Sequence, residues 1–262
     1  MSVDNLHIAL VQYEITGKSV SENLALLEKL LSKIEKETQL IVLPETFNTG
    51  FMNNPEKFAE NADGLTFQWM KKQTLKLKSA ICGSFMVKEN GKIYNRFYFI
   101  TPEGEFQFYD KRHLFRFGGE TKSLTEGNKR IIINYLGWKL FPMVCYDIRF
   151  PVFAYNKWDE NSGYEYDAML VCANWPQSRS KIWNTLLKAR AIENQCYVAA
   201  VNRVGVDTND IKYGGHSQII DAKGNVKLKA AHGKETLLSL ELHYDSLEKF
   251  RKHFCTGQDQ RL

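Results

Sequence analysis

No part of this 262-residue chain approaches the run of about 20 apolar residues that a membrane-crossing helix needs. The N-terminus, MSVDNLHIALVQY, carries an acid at Asp4 and has no basic segment leading into an unbroken apolar run, so it does not read as a secretory signal. Paired cysteines are missing as well. Cys82, Cys145, Cys172, Cys196 and Cys255 are odd in number and widely spaced, with no C-x-x-C pair and no Cys/His cluster at metal-ligand spacing. That argues against a disulfide framework and a zinc module, and for a reducing, cytoplasmic setting. Charge of one sign is scarce: 35 Lys and Arg against 30 Asp and Glu leave +5. The densest basic stretch, Lys71, Lys72, Lys76 and Lys78, is interleaved with Trp69, Met70, Leu75 and Leu77 like the wet face of an amphipathic helix. A nucleic-acid module, which needs a clustered basic face with stacking aromatics, is not supported.

What is present is the composition of an ordinary globular protein, 44% hydrophobic, 13% aromatic and 25% charged. No linker rich in Pro, Gly or Ser and no fixed-period repeat divides the chain, so one domain over residues 1–262 is expected. Short apolar runs rich in β-formers are predicted as strands at His7–Tyr13, Gln39–Leu43, Ser79–Phe85, Tyr94–Ile100, Phe106–Tyr109, Arg130–Tyr135, Lys139–Cys145, Asp167–Cys172, Tyr197–Val201, Ser217–Asp221, Val226–Lys229 and Glu235–Glu241. Helical periodicity places helices at Ser19–Glu37, Leu65–Lys78 and Arg179–Gln195, the last with Ile182, Leu186, Leu187, Ala189 and Ile192 inward. Hairpin turns are expected at Glu89-Asn90-Gly91, Pro102-Glu103-Gly104 and Asp221-Ala222-Lys223-Gly224. The class is therefore α/β with mixed parallel and antiparallel pairing. A two-fold echo runs through it: Leu6–Tyr13, a helix and QLIVLPE are repeated as LFPMVCYD, a helix and YDAMLVCANW.

Open α/β sheets bind ligands beyond the carboxyl ends of their strands. Four strands end informatively there: QLIVLPETF delivers Glu45, FQFYDKRHLF delivers Lys111, KLFPMVCYDIRFP delivers Cys145, and DAMLVCANWPQS delivers Asn174 and Trp175. A carboxylate, an ammonium and a thiol at separate strand tips are the parts for thiol-based acyl transfer, because cysteine attacks well only when a base or a positive neighbour stabilises its thiolate. Histidine is the usual base. Of the six histidines, His113 and His216 stand where such a site could recruit them, leaving a Cys–His–Asn hydrolase as a variant.

LPETF, YDKRHLF and VCYDIRFP, in this order and at these separations, resemble the nitrilase superfamily of carbon–nitrogen hydrolases. ANWP, KARAIENQCYV and GGHSQIIDAKGNV extend the resemblance over nearly the whole chain, and FYDKRHLF, VCYDIRFPV and RAIENQCYVAAVNRVG are most similar to the bacterial omega-amidase branch, which hydrolyses 2-oxoglutaramate and 2-oxosuccinamate. The resemblance implies a four-layer α-β-β-α sandwich, a homodimer, a small-molecule amide substrate, and chemistry without metal or cofactor. Another hydrolase of the superfamily, for N-carbamoyl amines or nitriles, is the alternative, and a binding protein that has lost turnover is a further one.

Carried over residue by residue, the resemblance implies Cys145 as nucleophile, Glu45 as general base, Lys111 beside the oxyanion with the N–H of Tyr146, and Glu120 as a second glutamate orienting Lys111. A carboxylate behind LIVLP should be partly desolvated, which raises its affinity for a proton. By composition alone Lys111 would read as a solvated lysine; the motif reverses that. Asp147 and Arg149 are expected to brace the nucleophile turn through an ion pair. An acidic substrate requires a cation, for which Arg116, Arg179 and Lys181 are candidates, with Phe117 and Trp175 as walls and Asn174 nearby.

Overall fold

The computed structural model describes residues 3–16, 19–51 and 54–260. Its first half runs β1 (Leu6–Gln12), α1 (Val20–Leu31), β2 (Leu40–Val42), the two-residue β3 (Glu60–Asn61), α2 (Leu65–Leu77), β4 (Ala80–Glu89), β5 (Lys92–Ile100) and β6 (Phe106–Asp110). The second half runs β7 (Ile133–Tyr135), β8 (Trp138–Val144), the single turn α3 (Pro151–Ala154), a small hairpin of β9 (Trp158–Asp159) and β10 (Gly163–Tyr164), then β11 (Ala168–Ala173), α4 (Ser180–Glu193) and β12 (Tyr197–Asn202). It closes with the hairpin β13 (Val204–Val206) and β14 (Lys212–Gly214), β15 (Gln218–Ile220), β16 (Val226–Lys229), β17 (Thr236–Leu242) and α5 (Tyr244–His253).

Two large sheets result, ordered β17-β1-β2-β4-β5-β6, with β3 on β4, and β16-β15-β12-β11-β8-β7. Each has a parallel centre, β1/β2/β4 in one and β8/β11/β12 in the other, flanked by antiparallel strands. The two-fold echo in the sequence is thus a repeat of topology, β1–β2–β4 against β8–β11–β12. The connecting helix expected between LFPMVCYD and YDAMLVCANW is only α3 and the β9/β10 hairpin, because Pro151 starts a helix that stops after one turn.

Strand alternation builds the layers. Leu40 and Val42, with Leu140, Ala168, Leu170 and Cys172, face one another in a core between the sheets. Ile41 and Ile81 turn to the opposite face, where Leu24, Leu27, Leu31, Phe67 and Met70 of α1 and α2 cover them. Phe141, Met169 and Val171 are covered by Trp183, Leu187 and Ala191 of α4. Each strand that is apolar at every position is buried on both faces, and the result is the α-β-β-α sandwich.

All twelve expected strands are present, with ends shifted by one to a few residues. Helix α1 starts where Ser19 caps it, its side chain accepting from the Glu22 N–H at 3.2 Å, but it stops at Leu31 rather than Glu37, with Ser32 donating back to the Lys29 carbonyl at 2.8 Å. Helix α4 buries Trp183, Leu187, Arg190 and Ala191, whereas Ile182 and Ile192 are exposed. The expected stripe was off by about one residue because Trp183, the largest apolar side chain of that helix, sets the buried face. The Asn90-Gly91 turn has both residues at positive φ, 50° and 72°, as a type I′ hairpin requires. Helix α5 was not anticipated. Leu247, with Tyr244 and Phe250, packs against the core between the sheets, and Arg251 anchors the helix further by donating to Asp167 Oδ1 at 2.7 Å and to the carbonyls of Gln195 and Tyr166 at 2.9 and 2.8 Å, all buried.

Removing one partner of such a buried pair leaves an uncompensated charge. Arg251→Met should lower the unfolding free energy by about 3–5 kcal/mol in urea denaturation, while Lys252→Met on the exposed face should change it by less than about 0.5 kcal/mol.

Candidate active site

At one edge of the sandwich the ends of β2, β6, β8 and β11 converge, and each sends one polar residue inward. Glu45, three residues past β2, is 1% exposed; Lys111, directly after β6, is 1% exposed; Glu120 is 5% exposed. Lys111 Nζ donates to Glu45 Oε1 and to Glu120 Oε1, each at 2.9 Å. Each carboxylate oxygen accepts at least one hydrogen bond. Glu45 Oε1 accepts from Asn95 Nδ2 at 2.9 Å, Glu45 Oε2 from the Asn174 N–H at 2.8 Å, and Glu120 Oε2 from the Phe115 N–H at 2.6 Å. The Asn174 side chain donates to Thr46 Oγ1 at 2.6 Å, which ties the two pseudo-equivalent strand ends, after β2 and after β11, to each other.

Cys145 follows β8 at φ +48°, a left-handed conformation that costs a non-glycine residue about 1–3 kcal/mol. Asp147 holds it there. Fully buried, Asp147 accepts from the Val144 N–H at 2.9 Å, Tyr109 Oη at 2.8 Å and the His113 N–H at 3.0 Å, and lies 2.8 Å from His113 Nδ1. The sharp turn lifts the Cys145 side chain out of the core to a half-buried position, with Sγ 4.0 Å from the Asn174 carbonyl. Cys145–Arg149 form a 3₁₀ turn whose leading N–H groups, that of Tyr146 among them, lack partners within the turn.

A cavity of about 460 Å³ opens above these groups. Cys145, Glu45, Lys111 and Glu120 lie at its foot, Tyr146, Trp175 and Phe117 form walls, and Arg149 and Arg179 line it as well. The sequence matches the carbon–nitrogen hydrolase family over residues 7–252. The chain belongs to that family. It is 39% identical to omega-amidase YafV of Yersinia enterocolitica over 259 residues, covering 98% of this chain and 97% of that protein. It is 35% identical to 2-oxoglutaramate amidase of Bacillus subtilis over 258 residues, 97% of each. Among solved structures, XC1258 of Xanthomonas campestris, a CN-hydrolase superfamily protein with an arsenic adduct in its active site, matches with a TM-score of 0.96 and 39% identity over 99% of this chain and 98% of that one. The protein is accordingly a hydrolase acting on carbon–nitrogen bonds.

In this carbon–nitrogen hydrolase the site has one ammonium for two carboxylates. Burial works against the Lys111 ammonium, yet Glu120 and Glu45, helped by Cys145, hold its pKa well above the ordinary lysine value. Burial raises Glu120, Lys111 opposes the rise and Glu45 adds to it. Burial also pushes the Cys145 thiol well up; Glu45 pushes the same way and outweighs the opposing Lys111. Resting Cys145 is therefore a protonated thiol beside a carboxylate, rather than a standing thiolate.

Several expected partners are elsewhere. His113 faces Asp147 and stacks on Phe150 with ring centroids 3.8 Å apart, so it serves the turn and does not line the cavity. His216 pairs with His232, and burial, with Lys229 and His232 adding to it, holds its pKa below the usual histidine value. Neither provides the Cys145 base of a Cys–His–Asn site. The expected Asp147–Arg149 ion pair does not form: Asp147 has His113, and the Arg149 guanidinium lies in the cavity wall, 5.1 Å from the Trp175 ring centroid. Arg116 and Lys181 are exposed and outside the lining. Asn95, Phe51, Phe115, Ile211 and Tyr213 were not anticipated. Asn95 alone had a signal, an amide in the middle of the apolar strand KIYNRFYFI.

The alkylation profile of Cys145 tests this electrostatic picture. Iodoacetamide labelling followed by mass spectrometry should be slow near neutral pH and climb only beyond about pH 8.5, the ordinary cysteine value. Glu45→Gln, by removing a negative neighbour, should move the climb to lower pH; a profile unmoved by this change would contradict it.

Proposed function

We infer that this hydrolase is an omega-amidase, cleaving the terminal amide of 2-oxoglutaramate and 2-oxosuccinamate to the acid and ammonia. The reading rests above all on the buried Glu45–Lys111–Glu120 cluster set against Cys145 at the foot of a cavity that also carries two arginines. Likeness to two amidases over nearly the whole chain supports it.

As the substrate carbonyl approaches, Glu45 accepts the Sγ proton and the sulfur attacks the carbonyl carbon. The carbonyl electrons move to oxygen, and Lys111 together with the Tyr146 N–H stabilises the oxyanion. Glu45 returns the proton to nitrogen, the C–N bond breaks, and ammonia leaves a thioester on Cys145. Glu45 then deprotonates a water, which attacks the thioester; the acid departs and the thiol is restored. Lys111 remains charged throughout because both glutamates hold its proton, and Glu120 acts by fixing its orientation.

The acidic end of the substrate requires a cation at the far side of the cavity. Arg149 and Arg179 line it and have no carboxylate partner among the described residues. Trp175, 5.1 Å from Arg149, and Phe115, 5.3 Å from Arg179, orient the two guanidinium groups. Arg116 and Lys181, exposed, have no part in this reading. It further carries a single catalytic domain, a homodimer and a cytoplasmic location, the last favoured by five unpaired thiols.

Purified protein should release ammonia from 2-oxoglutaramate and much more slowly from glutamine, asparagine and N-carbamoyl amino acids, and Cys145→Ala should abolish release. Turnover of an N-carbamoyl amine alone would keep the mechanism and replace the substrate. Arg149→Gln should lower kcat/KM for 2-oxoglutaramate roughly 10- to 100-fold, the worth of one charge-assisted hydrogen bond, and leave an uncharged amide such as butyramide little changed. Glu120→Gln should depress kcat with KM nearly constant, and an unaltered kcat would remove Glu120 from the machinery.

A further inference from the structure

Away from the cavity, two histidines meet at the foot of the β13/β14 hairpin. His216, just before β15, and His232, in the loop between β16 and β17, bring Nε2 and Nδ1 to 3.1 Å, with ring centroids 5.2 Å apart. Neither residue lines the cavity or takes part in the proposed reaction.

The pair is built rather than accidental. His216 is held at φ +65°, and its carbonyl accepts from Trp183 Nε1 at 3.0 Å. Its Nδ1 is buried without a partner among the described residues, so Nε2 is the nitrogen it offers. The His232 loop is fastened from below by the buried Gln12, whose Nε2 donates to the carbonyls of Ala231 and Lys234 at 3.2 and 2.8 Å. It is fastened from the side by the Gly233 N–H donating to the Gly214 carbonyl at 3.0 Å. Gly214 also makes room: a Cβ there would lie 2.6 Å from His232 Cε1.

Two imidazole nitrogens bound to one ion at about 2.0–2.1 Å, and separated by 3.1 Å as here, subtend roughly 100° at the metal, between square-planar and tetrahedral values. We propose that His216 and His232 form a two-histidine site for a divalent transition-metal ion, with water completing the coordination. No third His, Cys, Asp or Glu joins them among the described residues, which fits a site occupied reversibly. Imidazole ligands select Cu²⁺, Ni²⁺ and Zn²⁺ over Mg²⁺ and Ca²⁺. The exposed His232 ring needs only to swing so that both lone pairs converge on the ion.

The test uses untagged full-length protein carrying Cys145→Ser and Cys255→Ser, so that the two half-buried thiols do not compete for metal. Titration with Cu²⁺ and Ni²⁺ is followed by calorimetry and by quenching of tryptophan fluorescence, since Trp183 is hydrogen-bonded to the His216 carbonyl. One ion per chain is expected, with Mg²⁺ silent and two-nitrogen superhyperfine structure in the Cu²⁺ EPR spectrum. His232→Ala, on an exposed side chain, should keep the parent melting temperature and bind at least about tenfold more weakly, a loss that even partners outside a coordination sphere can cause. Binding undiminished in His232→Ala, or no saturable binding in the parent, would overturn the proposal.

Discussion

A buried lysine held between two buried carboxylates is the constraint on which the rest of the structure turns. Lys111 stays charged because Glu120 and Glu45 offset the desolvation that would otherwise neutralise it, and the cluster stands beside Cys145. Burial, with Glu45 adding to it, keeps the thiol protonated, and Glu45 is the adjacent side chain to which its proton can pass. Such a cluster is costly unless its oxygens are hydrogen-bonded, and each carboxylate oxygen accepts at least one bond, from Lys111, Asn95, the Asn174 N–H or the Phe115 N–H. Each donor comes from a different segment, so the cluster can form only when both sheets are in register.

The fold meets this demand by duplication. In each sheet three parallel strands end at the same edge, and β2 and β11 occupy equivalent places in the two repeats. Glu45 and Asn174 follow those strands and bond to each other across the interface. The repeats then diverge. The first crosses over through a full helix, α1, whereas the second uses α3 and a two-stranded hairpin. That short path begins at the Cys145 turn, where Asp147 gathers the Val144 N–H, Tyr109 and His113 and so offsets the strain of a left-handed cysteine. Lys111 and His113 lie two residues apart, so the loop that carries the ammonium is clamped to the turn that carries the thiol.

Much of this was legible from local pattern. Strands that are apolar at nearly every position announce burial on both faces, which is why the central strands β1, β2, β8, β11 and β12 were placed and the sandwich followed; the short β3, β9, β10, β13 and β14 were not anticipated. Helix faces were harder. Ile182 and Ile192 fit a 3.6-residue stripe as well as Trp183 and Ala191 do, and only the surface of the sheet beneath chooses between them. Helix α5 was missed because its apolar face is only Tyr244, Leu247 and Phe250, and its remaining anchor is a polar residue, Arg251. The residues Glu45, Lys111, Cys145 and Glu120 could be named from their motifs, but their protonation pattern could not, since it depends on distances between segments up to 129 positions apart.

The sequence by itself determined the main strands of both sheets, the duplicated half, the family, and which side chains stand at strand ends, because these follow from short-range periodicity and from motifs a few residues long. Only the tertiary structure decided what those side chains face. Asp147 and Arg149 sit two positions apart, yet one is sealed beneath the nucleophile turn on His113 and the other opens onto the cavity over Trp175. A turn rotates neighbours to opposite sides, and long-range packing alone decides which side is protein and which is the space a substrate can enter.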